Sequence, residues 1–307
     1  MDPQNPNSSN IPYILELLNE EFIFSKGRKL RLELRYPGLF EPENFNNLYY
    51  LGDPEKIVSF VATKTLNIRM LGEKVQFYLL GCVYTNPFFR GKGYSSKLIQ
   101  AVSVFYNRRG YQGGILWTTI PEFYKRYGWV KNDNGLLIRF MNEIKDDVNP
   151  GIGDFENSEI KNSDEIESFR KKYRKDPIFL IRNDQSINSY RVIPPPAESI
   201  RICTIRISGQ IKSYLIYGVL SDNVFVYENL GINMKVEEKL LHYFLIENKT
   251  KNMFFNLHKY NYSLIKSLRK LTKNIKMENQ RLCMWHGNLR SMSHLQKNLY
   301  IPFIDRI

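Results

Sequence analysis

The run from Val75 to Arg109 constrains the fold more than any other, because a strand, a basic glycine loop and an amphipathic helix follow one another in it without a break. Val75 to Tyr84 is rich in aromatic and β-branched residues and too short to cross a membrane, which reads as a core strand. Leu98, Ile99, Val102 and Phe105 then recur at helical spacing, and Gly110 stands where a helix C′ glycine belongs. The intervening Asn86-Pro87-Phe88-Phe89-Arg90-Gly91-Lys92-Gly93-Tyr94-Ser95 must be a strand-to-helix turn. Such a turn exposes the unpaired N–H groups of a helix N-terminus, and glycines let an anion come close to them. Arg90 and Lys92 add two cations, which suits a diphosphate.

Three phosphate-binding motifs fit a strand, a glycine loop and a helix. A P-loop needs GxxxxGK[ST], which is absent here. A dinucleotide fingerprint needs a third small residue, available in Ser96, and an acid about twenty positions further on; Gly113 to Thr119 has none. The third motif matches over its whole length. Val83 to Ser95 resembles motif A of the GCN5-related N-acetyltransferase (GNAT) superfamily, a strand, a proline and then Arg-Gly-x-Gly-x-small, with Pro87, Arg90, Gly91, Gly93 and Ser95 in those places. Pro121 to Trp129 (PEFYKRYGW) is similar to the family's second signature, Phe-Tyr-x-x-x-Gly-Phe. Tyr36-Pro37-Gly38-Leu39-Phe40, with Asn44 and Asn47-Leu48 following, is similar to the Eis-like branch, whose members carry tandem acetyltransferase-like domains. The resemblance rests on motifs in the first half and on pattern alone in the second.

The chain has 307 residues, and domains usually hold about 100–200, so two are expected. Three cysteines, Cys82, Cys203 and Cys283, are far apart and odd in number, which argues for a reducing compartment rather than a disulfide framework. The N-terminus is polar and Pro-rich without the regions of a signal peptide, and no apolar run approaches the ~20 residues of a spanning helix. A cytoplasmic protein with no membrane partner is expected. The net charge of +13 suits anionic ligands but is uneven. Residues 1–150 carry 19 basic against 15 acidic side chains, and residues 151–307 carry 25 against 16. Lys266, Arg269, Lys270, Lys273, Lys276 and Arg281 form the densest cluster; with only Tyr260 and Tyr262 nearby and no RNA-binding signature, a solvated helix face is preferred over a nucleic-acid patch.

In chain order, Ile11 to Phe22 predicts a first helix, and Lys29 to Tyr36 fits strand and helix equally. Leu48 to Leu51 and Ile57 to Met70 predict a hairpin, turned by Gly52-Asp53-Pro54. Gly114 to Thr119 predicts a strand, Pro121 starts a short helix, and Gly135 to Met141 is expected to close the sheet. Asn142 to Gly153 has the composition of a linker, with a boundary near Pro150. Beyond it, Asp164 to Arg174 predicts a helix, Ile200 to Ile207 and Ile211 to Val219 a hairpin, Val224 to Tyr227 a strand and Val236 to Ile246 a helix. Met253 to Leu257, Leu264 to Leu271 and Arg281 to Trp285 add strand, helix and a last strand. This order repeats the first half, except that Glu228-Asn229-Leu230-Gly231-Ile232-Asn233 replaces the glycine loop and brings an acid that would repel a phosphate. The expected fold is α/β with mixed α+β sheets: two tandem GNAT-like domains, 1–149 with the acyl-CoA loop and 150–307 a degenerate copy.

The resemblance implies a chemistry. Acetyl-CoA would be the acyl donor, held by Arg90, Gly91, Lys92, Gly93, Tyr94 and Ser95. The strand before the loop splays from its neighbour in the family, so the backbone of Val83, Tyr84 and Thr85 would meet the pantetheine arm and the thioester oxygen. Tyr124 matches the tyrosine that often protonates the departing thiolate. Thr118 and Thr119 stand where the family commonly has another polar residue, often Asn. For the base that accepts the amine's proton, Glu33, Glu122 and the carboxylate of Ile307 are candidates without motif support. Cys82 reads as a small buried residue, and the one close Cys/His pair, Cys283 with His286, as structural. The implied activity is transfer to a small-molecule or peptide amine by direct attack, the second domain shaping the acceptor cleft or an oligomer. The alternative is a non-catalytic protein that senses acyl-CoA or holds nucleic acid.

Overall fold

The computed structural model describes residues 2–70, 72–144, 153–174, 178–182, 189–287 and 297–307. The helix α1 (Ile11–Phe22) buries Ile11, Ile14 and Leu18, the face its spacing marks. A short α2 (Leu32–Arg35) follows, where Arg35 is buried and donates to the Leu30, Ile193 and Ala197 carbonyls. β1 (Leu48–Asp53), β2 (Lys56–Met70) and β3 (Glu73–Thr85) form an antiparallel meander, and α3 (Tyr94–Arg108) crosses to β4 (Gly113–Trp117), parallel to β3. Such a parallel pair requires a crossover, which the helix supplies. α4 (Pro121–Lys125), β5 (Val130–Lys131) and β6 (Gly135–Met141) complete this stretch. The expected boundary near Pro150 lies outside the described residues.

The second stretch runs β7 (Asp154–Ser158), α5 (Ser163–Tyr173), β8 (Ile178–Ile181), β9 (Ser199–Ile207), β10 (Gln210–Leu220) and β11 (Asn223–Gly231). It continues with α6 (Met234–Glu247), β12 (Asn252–His258), α7 (Tyr262–Leu271), β13 (Lys276–Asn279) and β14 (Cys283–Gly287). Among the described residues two sheets of seven strands result. One has the order β1-β2-β3-β4-β14-β5, with β8 also on β2; the other, read in the matching direction, is β7-β9-β10-β11-β12-β6-β13. Place by place they repeat one another: a meander, a parallel pair joined by a helix, a guest strand and a short edge strand.

The guests correct two expectations. β6 does not close the first sheet; it pairs with β12 and β13 in the second, from Asn252↔Met141 to His258↔Gly135. β14 is not the last strand of the second sheet; it lies between β4 and β5 in the first. The two halves therefore exchange strands: the first lends β6 to the second sheet, and the second lends β14 and β8 to the first. Both guests are built in by packing: Leu136, Ile138 and Phe140 join the core of the second sheet, while Met284 and Trp285 are buried on opposite faces of the first. Asp133 Oδ2 fixes the entry of β14 by accepting from the Leu282 and Cys283 N–H groups at 2.9 and 3.0 Å.

On one face of the first sheet α3 packs Leu98, Ile99, Val102 and Tyr106 against Tyr49, Val61 and Leu80. Gly114 is where β4 passes the Tyr78 ring; a Cβ there would lie 2.5 Å from it. The other face, Phe77, Leu79, Ile115 and Trp285, is covered by residues that follow β7 in sequence, among them Ile178, Leu180, Leu299 and Ile301. A buried ion cluster ties this cover down. The Arg182 guanidinium bonds Asp305 at 2.9 and 2.6 Å, Glu228, and the Tyr190 hydroxyl at 2.9 Å. Burial alone would raise the Asp305 pKa, but Arg182 overrides it and holds the group down at about 2. A carboxyl depressed in this way stabilises the fold fully above its ordinary value near 3.9 and loses that contribution as pH falls through 2. We expect Asp305→Asn, which leaves Arg182 half-compensated, to cost about 2–3 kcal/mol at pH 7 by denaturant unfolding, and the difference from wild type to be lost as pH falls below 2.

Candidate active site

The pairing of β3 with β4 ends at Leu79↔Ile115, six residues before β3 itself ends at Thr85. Beyond that point the two strands part. On its other edge β3 carries one extra residue against β2, since Gly81 and Tyr84 face Ala62 and Phe60. Cys82 in this bulge takes φ +49°, a conformation that bends the strand away from its neighbour. The wedge is a cavity of about 280 Å³.

Its walls come from five places in the chain, one of them Glu21 on α1. Val83, Tyr84 and Thr85 line it from the edge of β3; Arg90, Gly91 and Gly93 from the loop; Tyr94 and Ser95 from the first turn of α3; and Tyr124, with Ile120 and Phe123, from α4. The residues expected to meet the coenzyme or protonate its thiolate are thus all brought together except Lys92. Its ammonium sits 5.4 Å from the Phe89 ring, and Lys56 of the β1–β2 turn lies 5.6 Å from the same ring. Gly91 and Gly93 both take φ +79°, with nothing within 4 Å of a built Cβ. The backbone demands these glycines, and the space beside them is open.

α3 begins at Gly93 without a side-chain cap, so its first N–H groups face the loop side of the wedge. The second sheet differs at this point. Only Ile232 and Asn233 separate β11 from α6, and Asn233 caps that helix by accepting from the Val236 N–H at 3.0 Å. The acid expected to repel a phosphate, Glu228, is instead buried and neutralised by Arg182. What removes an anion site from the second half is therefore the missing loop and the occupied helix end, not a bare negative charge.

Arg90 is engaged as well. Its Nη2 meets Glu21 Oε2 of α1 at 2.7 Å and its Nε donates to the Thr85 carbonyl at 3.1 Å. Both partners of this ion pair are partly exposed, and such pairs contribute only about 0–1 kcal/mol, so a diphosphate can displace Glu21 at small cost. Glu21 lines the wedge and carries no motif; its only sequence signal is a place on the polar side of an amphipathic helix.

Tyr124 is 7% exposed, its ring edge-on to Phe123 at 4.9 Å and to Trp129 at 6.2 Å. Burial pushes its phenol up to about 12, which keeps the proton on it at neutral pH. Tyr127 in the following turn shares a hydrogen bond with Ser96, tying α4 to the start of α3. Thr118 caps the turn before α4 by accepting from the Ile120 N–H at 3.0 Å. Cys82 is a protonated thiol, its pKa raised to about 12 by burial. Of the base candidates, Glu122 points into solvent against Lys125, and Glu33 accepts from Asn19 at 3.0 Å away from the wedge. Ile307 does approach: its backbone carbonyl would lie 2.8 Å from a Cβ on Gly81, the residue before the bulge.

Residues 3–131 match the family model described as an acetyltransferase (GNAT) domain. No curated protein sequence matches the chain. Among solved structures it is similar to a conserved protein of unknown function, a probable N-acyltransferase, from Enterococcus faecalis V583, with 13% identity and TM-score 0.69 over 92% of this chain and 72% of that one. A GCN5-related N-acetyltransferase from Anabaena variabilis gives TM-score 0.69 at 12% identity over the same shares. Saccharomyces cerevisiae N-myristoyltransferase, with myristoyl-CoA bound, gives 0.60 at 10% identity over 100% of this chain and 86% of that one. At these identities the structures speak for the fold. Among the described residues no helix is long and apolar enough to cross a membrane.

Proposed function

We propose that this chain, whose residues 3–131 match the acetyltransferase (GNAT) family model, is an N-acyltransferase that moves an acetyl group from acetyl-CoA to an amine by direct attack. The observation that carries this reading is the convergence of β3, the glycine loop, α3 and α4 on one wedge, with an uncapped helix end on one side and a buried phenol on another. The diphosphate would lie on the α3 N-terminus beside Arg90, and the pantetheine arm along Val83 to Thr85, adding the hydrogen bonds that β4 leaves unmade. A backbone N–H in that stretch would stabilise the oxyanion formed when the neutral amine adds to the thioester carbon; one such donor is worth about 2.7–4 kcal/mol. Collapse of the adduct breaks the C–S bond; Tyr124 would give its proton to the leaving sulfur and be reprotonated, through water, by the proton that the adduct's nitrogen loses. Ile307, against Gly81 at the bulge, bounds the side from which an acceptor would approach. The second half would shape that side without holding a coenzyme. Its basic cluster reads as a solvated face, where Lys270 pairs with Glu238.

The test is free-thiol release from acetyl-CoA against a panel of polyamines, amino acids, aminoglycosides and basic peptides. Turnover with at least one amine is expected; coenzyme binding with no turnover across the panel would favour an acyl-CoA sensor. Calorimetry should find one coenzyme A site per chain, because the second half lacks the loop. Arg90→Glu should weaken it by about tenfold or more, the loss of a charge-assisted contact and its replacement by repulsion. Two sites, or undiminished binding in that variant, would contradict the assignment.

A further inference from the structure

The second sheet has a wedge of its own. β11 and β12 pair in parallel as far as Val226↔Phe255 and then separate, as β3 and β4 do. The gap between them, continued by α6 and α7, is a cavity of about 480 Å³. With Asn233 closing the end where a diphosphate would sit, this is not a coenzyme cleft. Its lining is polar: Asn229, Asn256 and Asn261 present amides, two carboxylates, Glu228 and Glu237, reach it from β11 and α6, and one cation, Arg174, acts on Glu228.

The two carboxylates differ in one respect. Glu228 is matched by Arg182 within the protein. Glu237 is not: its Oε1 accepts one hydrogen bond, from the Gly231 N–H at 2.8 Å, and among the described residues no ion pair reaches it. Burial accordingly raises its pKa. A half-buried carboxylate on a cavity wall, with no cation of its own, is stabilised by a cation that enters from outside. Tyr260 also lines the cavity, 46% exposed, but its ring already has the Lys259 ammonium 5.1 Å from its centroid.

We propose that this second cleft is a binding site for an amine-bearing polar small molecule, whose ammonium pairs with Glu237 while Asn229, Asn256 and Asn261 meet its other polar groups. It is separate from the acyl-CoA wedge and stands whether or not that wedge acetylates. Nonspecific adsorption would work against it, because a chain of net charge +13 repels polycations.

Calorimetry with spermidine as the probe, and 1,8-octanediol as its uncharged counterpart, tests the site. Saturable binding of spermidine but not of the diol is expected, at one per chain. Glu237→Gln should weaken it about tenfold or more. That variant keeps a carbonyl oxygen for the Gly231 N–H, and a thermal melt checks its fold. Saturating coenzyme A and the Arg90→Glu variant should leave spermidine binding unchanged. No binding, binding that Glu237→Gln leaves unchanged, or displacement by coenzyme A would overturn the proposal.

Discussion

A fragment ending at residue 149 is expected to be insoluble, or to bind no coenzyme A, when expressed without the rest of the chain. It contains every residue of the proposed coenzyme wedge, yet it lacks β14, which pairs along β4 from Trp117↔Cys283 to Gly113↔Gly287. The outer edge of β4 would then be bare, and β5 would lose its only neighbour among the described strands. The same fragment carries β6 without β12, so Leu136, Ile138 and Phe140 would face water. Together with the lost packing of Cys283, Met284 and Trp285, six buried side chains at ~1.5–3 kcal/mol each amount to ~9–18 kcal/mol. That equals or exceeds the ~5–15 kcal/mol by which a domain is usually stable. Bare strand edges also favour aggregation over monomeric unfolding. Co-expression with residues 150–307 should restore both guests, solubility and coenzyme binding. If residues 1–149 alone unfold cooperatively and bind coenzyme A with the affinity of the whole chain, the exchange is not what holds the halves.

What sequence discloses of this fold is what is local. α1 falls where its apolar spacing ends, at Ile11 and Phe22, and the wedge residues were legible because Val83 to Ser95 and Pro121 to Trp129 each lie in one short run. The exchange was not legible. Alternation in Gly135 to Met141 tells which side chains are buried, and Leu136, Ile138 and Phe140 would alternate in the same way in either sheet; the choice of neighbour lies in β12, more than a hundred residues away. β7 and β13 escaped for another reason: Asp154–Ser158 and Lys276–Asn279 are edge strands with one apolar residue each, so the pattern has nothing to repeat. Lys29 to Tyr36 shows local pattern overridden by tertiary contact, since Arg35 is buried by three carbonyls that include those of Ile193 and Ala197. Glu228 shows it for charge: its partner Arg182 lies 46 residues earlier, and without it the carboxylate reads as bare.

Tyr124→Phe is expected to lower turnover by roughly 10²–10⁴-fold, the range for proton transfer by a positioned group, without abolishing it. A thiol of pKa near 8.5 leaves as thiolate unaided, only more slowly, so a residual rate should persist. The phenyl ring fills the same place between Phe123 and Trp129, and coenzyme affinity and melting temperature should change little. A purely structural role would predict the reverse, a loss of stability with turnover kept. The pH profile separates the two further. Since burial places the phenol at about 12, an acid at Tyr124 stays protonated through pH 10, and the alkaline limb of the wild-type rate should not fall there on its account. Single-turnover kinetics with saturating acetyl-CoA and amine isolate the chemical step from product release. Near-wild-type single-turnover rates in Tyr124→Phe would make Tyr124 a packing residue, and the proton for the thiolate would then come from another group on the wedge, with Tyr84 and Tyr94 the next to substitute.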